Sequence, residues 1–141
     1  MKYLFFVLLL IANSVFAINE NKIVSDFISS KNTSGETVSV SDTISGQLIE
    51  SYEIENDLYI VHWLYQGANY WQHRIYLIKG SNGKVEELDK LFIDGDVKYT
   101  EYSKNILKVM FLSYGKTIPR CCPDVEKKLN YKVQGNKFLL E

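Results

Sequence analysis

From Leu48 to the C-terminus, apolar and polar residues alternate with a period of two, interrupted at short intervals by pairs containing Gly or Asn. A chain patterned this way folds as consecutive antiparallel strands, because alternate side chains point to opposite faces and the Gly or Asn pairs supply the tight corners. Gly67-Ala68 places Gly where a type II′ turn needs a positive φ and separates strands over 58–66 and 69–79. Asn82-Gly83 predicts a type I′ hairpin with Lys79 opposite Glu86 and Leu77 opposite Leu88. Asp94-Gly95 predicts a third turn, between strands at 91–93 and 97–102. A turn around Lys104-Asn105 leads into a strand at 106–114, and Gly135-Asn136 closes a hairpin opposing Val133 to Phe138 and Tyr131 to Leu140.

A two-residue turn at Gly67-Ala68 sets the register of the first hairpin. Leu64 then faces Trp71, Ile60 faces Ile75 and Leu58 faces Leu77 on an apolar face expected to be core. His62 and His73, the two histidines of the chain, fall directly opposite each other on that face. The other face collects Tyr59, Val61, Trp63, Tyr65, Tyr70, Gln72, Arg74 and Tyr76, and is aromatic and half polar.

Upstream, residues 19–30 carry Ile23, Val24, Phe27 and Ile28 at helical spacing, with Lys22, Ser25 and Asp26 outside the stripe. Residues 31–47 are rich in Ser, Thr, Asn and Gly and read as a loop or a weak edge strand. The fold class is therefore α+β, an N-terminal helix packed on a curved antiparallel β-meander sheet, with the helix expected over the apolar face. No internal repeat is visible.

The first 17 residues read as a secretory signal peptide. Lys2 is followed by an apolar run from Tyr3 to Ile11, and Val15-Phe16-Ala17 fits a signal-peptidase groove with cleavage after Ala17. That run falls short of the ~20 residues a bilayer span needs, so no stable membrane insertion is expected once the leader is gone. Residues 18–141 then form a single β-rich domain, periplasmic or secreted. With 16 basic against 17 acidic residues and no basic run, the charge offers nothing to a phosphate backbone, so nucleic acid is not an expected partner. An aromatic share of 13% is too rich for a disordered chain.

Cys121 and Cys122 are the only cysteines. In an exported chain they leave three options: a vicinal disulfide closing a strained ring, a bridge to another molecule, or free thiols. They lack the CxxC spacing of thioredoxin-type chemistry. His62 and His73 supply two imidazoles, whereas a catalytic zinc needs three protein ligands and a structural one four, so neither a metal nor another cofactor is expected. Asp94-Gly95-Asp96 has too few oxygen ligands for calcium and is accounted for as a turn. No GxSxG, HExxH or phosphate-cradling Gly loop occurs. The expectation is a protein that is not an enzyme.

Tyr114-Gly115 and Pro119-Arg120-Cys121-Cys122-Pro123, followed by a strand with Tyr131 and the Gly135-Asn136 turn, resemble the tail of a loose group of exported bacterial domains. That group ends in a PRCCPS-like segment and includes the LppP/LprE lipoproteins. The resemblance is clearest over 106–141 and weaker over 58–79. Here Thr117-Ile118 stands where the group has Asn-Asp, Asp124 replaces its Ser, and no lipid-attachment Cys is present. The resemblance implies an exported β-rich domain and supplies no activity.

Tyr and Trp beside an Arg are what protein interfaces concentrate. Trp63, Tyr65, Tyr70 and Arg74 are therefore the candidate binding residues, presented to a protein partner by an exported, non-catalytic module comparable in size to periplasmic inhibitors and immunity proteins. The alternative is a redox-sensitive or metal-binding exported protein acting through Cys121-Cys122 or the His62/His73 pair.

Overall fold

A computed structural model of the protein describes residues 21–34, 45–66, 71–116 and 122–141. Helix α1 (Lys22–Ser34) precedes seven strands: β1 (Ser45–Glu55), β2 (Leu58–Gln66), β3 (Trp71–Ser81), β4 (Lys84–Ser103), β5 (Ile106–Ser113), β6 (Val125–Gln134) and β7 (Lys137–Leu140). The strands are hydrogen-bonded in chain order and every pair is antiparallel. This is the α+β meander that period-two patterning predicts. No helix of the described residues is long and apolar enough to cross a membrane.

Helix α1 runs four residues further than the sequence suggests, into the segment read as loop. Asn21 caps it: its Oδ1 accepts from the Ile23 amide at 2.9 Å, and its Nδ2 donates to the Tyr59 hydroxyl at 2.6 Å. The same residue therefore starts the helix and ties it to β2.

Several corners form as their residues dictate. Asn82 (φ 51°) and Gly83 (φ 73°) make the β3–β4 turn, Lys104 and Asn105 the β4–β5 turn, and Gly135 (φ 58°) the last hairpin, with Val133↔Phe138 and Tyr131↔Leu140 paired as expected. Another corner without Gly returns β1 into β2 at Asn56-Asp57, with Asp57 at φ 61°, a value Asp tolerates better than most side chains.

Three expectations are corrected. The β2–β3 ladder ends at Gln66↔Trp71, so four residues connect the strands rather than two, and each pair is displaced by two positions: Ile60 faces Leu77 and His62 faces Ile75. A displacement of two leaves every side chain on its expected face. Gly67-Ala68 themselves lie outside the described residues. In the next hairpin Lys79↔Glu86 holds, but a bulge at Leu88 moves Leu77 opposite Asp89. Third, Asp94-Gly95 is not a turn. β4 runs unbroken for 20 residues through it, pairing with β3 as far as Asp94 and with β5 from Gly95 onward. Gly95 has φ 152°, and a Cβ there would run into the Leu112 carbonyl oxygen, so the strand transfers between partners at the one residue with no side chain to obstruct it.

That transfer folds the meander onto itself. Leu58, Ile60, Ile75, Leu77 and Ile93 of the first half pack against Leu107, Val109, Phe111, Val133 and Phe138 of the second. Ile60, Ile75, Leu77 and Leu107 are completely buried, and each such side chain contributes about 1.5–3 kcal/mol relative to exposure. The apolar face is thus covered by sheet, not by the helix. α1 lies on the opposite face, where Val24 and Phe27 join Tyr59, Val61, Trp63, Tyr65, Tyr76 and Ile78 in a second core. Gly80 lets Ile23 of α1 come close, since a Cβ there would overlap the Ile23 side chain.

Candidate functional site

Of the rings proposed for docking, Trp63 and Tyr65 do not face solvent. Trp63 is 2% exposed and Tyr65 4%. An amphipathic helix must bury its stripe against something apolar, and with one face of β2 and β3 taken by the second half of the sheet, the ring face is what remains. Phe27 meets Tyr76 edge-on at 4.9 Å between centroids. Lys31, at the C-terminal end of α1, lies over both rings and pairs with Glu87 at 2.9 Å. The Arg74 guanidinium lies 4.4 Å above the Tyr65 ring, a stacking partner inside the fold. Tyr70 and Cys121 lie outside the described residues, and Cys122 is exposed.

The polar residues that the structure does gather surround the histidines. His62 and His73 are both buried and are diagonal rather than opposite, each facing an aliphatic residue across the ladder (His62↔Ile75, Leu64↔His73). Diagonal neighbours remain within reach of long side chains, and His62 Nε2 lies 2.8 Å from His73 Nδ1. The Val97 amide donates to His73 Nε2 at 3.4 Å. An N–H donor at that position requires a lone pair on His73 Nε2, so His73 carries its proton on Nδ1 and donates to His62 Nε2. The proton of neutral His62 then sits on Nδ1. That atom is buried without a hydrogen-bond partner, and the Glu50 carboxylate lies 3.6 Å away.

Burial holds both imidazoles neutral. It pushes His73 down to about 4, with the neighbouring His62 acting in the same direction and Asp96 opposing. It also lowers His62, against the pull of Glu50. The pair cannot both point lone pairs at a metal while hydrogen-bonded to each other. Among the described residues no set of three or more His, Cys, Asp or Glu is gathered for one.

Above His62 opens a groove of about 410 Å³, walled by Ile49 and Glu50 of β1 and by residues 97–100 of β4. Each wall is a bulge: Ile49 is the extra residue of β1, and Lys98 the extra residue of β4. Bulges re-aim side chains and collect beside functional sites. Four consecutive β4 residues line the groove although strand side chains alternate, so it runs along the strand's edge. Ile49 (44% exposed) and Tyr99 (48%) stand at the rim. Lys98 pairs with Asp96, and Tyr99 donates to Glu101 at 2.7 Å. Tyr52 holds the Thr100 carbonyl of the β4 wall, donating to it at 3.1 Å, its hydroxyl pushed up to about 12 chiefly by burial.

Spacing in the sequence does not single out Glu50, Lys98 or Tyr99 as site residues. The one trace of the groove is the adjacent apolar pair Leu48-Ile49, which breaks alternation where the β1 bulge occurs. Comparison with family models, with curated proteins and with solved structures finds no match for this chain.

Proposed function

We propose that this chain is an exported, non-catalytic protein-binding module, periplasmic or secreted once its leader is removed, and that it binds through the groove between β1 and β4 rather than through the ring face. The observation that carries this reading is the buried, unpartnered Nδ1 of His62 at the floor of a 410 Å³ groove. Its volume is within the ~300–1,000 Å³ range of ligand sites. The protonation pattern of the histidines favours binding over chemistry: the His62 and His73 lone pairs both accept hydrogen bonds inside the protein, so His62 offers the groove an N–H donor and not an imidazole base.

The test places a photo-crosslinking amino acid at Tyr99, on the rim, and as a control at Lys137 on β7. Irradiation in cells should give a discrete adduct of higher mass from the Tyr99 position and none from Lys137. Equal labelling at both positions, or no adduct from Tyr99, refutes the groove as the binding surface. Recovery of a chain beginning at Ile18 from outside the inner membrane tests export.

A further inference from the structure

The groove has the hydrogen-bonding order of an amide receptor. Its floor presents a donor, His62 Nδ1–H, and 3.6 Å away an acceptor, the Glu50 carboxylate. The separation is too long for these two to satisfy each other well, and a buried donor left unmatched costs free energy that a ligand oxygen would restore. A carboxylate ligand would satisfy His62 but meet the like charge of Glu50, and an ammonium ligand would suit Glu50 but repel the His62 N–H. A group carrying C=O beside N–H answers both.

The walls narrow the choice among amides. β1 pairs only with β2, and β4 beyond Gly95 pairs only with β5, so each brings to the groove a strand edge with no strand beside it among the described residues. At the two ends of the β4 edge the backbone is already engaged by side chains: the Val97 amide by His73, and the Thr100 carbonyl by Tyr52. Lys98 and Tyr99 lie between them. Resting on the binding reading above, we infer that the partner enters this groove as an extended peptide segment, one residue of which, its own C=O and N–H pointing to the same side of the extended chain, takes His62 Nδ1–H on its carbonyl and offers its N–H to Glu50. Exposed Ile49 and Tyr99 then flank the side chains on either side of that residue. This is strand addition at an edge, with a buried imidazole as its selector.

The experiment uses the full mature chain labelled with 15N, including its histidine rings, and follows His62 Nδ1 and the Lys98 and Tyr99 amides by NMR. The probes are the blocked tripeptide N-acetyl-Thr-Val-Thr-amide, N-methylacetamide, acetate and methylammonium, each raised to about 10 mM, where even weak binding registers. The expected result is a saturable shift of all three signals with the tripeptide, a smaller one with N-methylacetamide and none with either ion. Glu50→Ala should weaken the tripeptide about tenfold. Because Glu50 is half-exposed on an edge strand, that variant is expected to fold, and the dispersion of its spectrum checks this. A response to acetate or methylammonium alone, silence with every probe, or a tripeptide affinity unchanged in Glu50→Ala overturns the inference. The Tyr99 crosslink would survive any of these results, so loss of the peptide reading is separable from loss of the binding surface.

Discussion

His62 Nε2 and His73 Nδ1 lie 2.8 Å apart across neighbouring strands, although neither residue is the other's partner in the ladder. Through His73 the pair reaches the Val97 amide, just past the point where β4 changes partners, and through His62 it faces Glu50 on β1. One buried imidazole pair thus spans four strands, and its neutrality is a condition of the fold.

Stability should therefore depend on pH. A histidine whose folded-state value lies below its ordinary 6.5 binds fewer protons folded than unfolded. Its contribution is complete above about 6.5 and is lost as pH falls toward the folded value, about 4 for His73, with His62 acting in the same direction. The loss attributable to His73 is of order 2–3 kcal/mol between pH 7 and 4. Urea midpoints at pH 7.5, 6, 5 and 4 measure it. The His62→Phe/His73→Leu double variant should show a flatter profile, and an equally steep one would mean that other groups titrate.

Gly95→Ala should destabilise the protein by about 2–4 kcal/mol, since it places a Cβ against the Leu112 carbonyl at a φ that L residues rarely adopt. Gly83→Ala also meets a positive φ, but in open space, and should cost about 1 kcal/mol. Chemical denaturation of the two variants side by side checks the ranking. Equal losses would deny Gly95 its role at the transfer point.

Trp63→Ala should lower stability by about 3–5 kcal/mol, the cost of emptying a large buried site. Phe92→Ser, at a residue 54% exposed on β4, should stay within about 0.5 kcal/mol of the parent. Thermal unfolding followed by circular dichroism separates the cases. A Trp63→Ala protein of parental stability would return that ring to the surface.

Asn21→Ala removes the helix cap and the tie to Tyr59 together, and should cost about 1–2 kcal/mol. Hydrogen exchange should locate the effect: faster exchange in α1 with the β3–β4 ladder unchanged. Uniform acceleration across the sheet would contradict a local cap.

Much of this architecture is legible in the residue order. Turn chemistry is local, so Asn82-Gly83, Lys104-Asn105 and Gly135-Asn136 announce their corners, and alternation sorts Leu58, Ile60, Ile75 and Leu77 from Tyr59, Val61, Trp63 and Tyr76 correctly despite a register displaced by two. Asp94-Gly95 misleads because the same dipeptide serves a tight turn and a strand that must bend around a neighbour, and only the position of the Leu112 carbonyl tells them apart. The groove is almost wholly hidden: a bulge is a mismatch between two strands and belongs to neither segment alone.

Residue order by itself determined the strands, most of their corners and which side chains share a face, since all of these follow from spacing along the backbone. Only the tertiary structure decided what covers each face. Two faces of β2 and β3 are rich in apolar groups, and a helix and half a sheet compete for them. The half-sheet takes the aliphatic side, which leaves α1 the rings and buries Trp63 and Tyr65. The same closure sets β1 alongside β4, and with it the imidazole pair beneath an open groove.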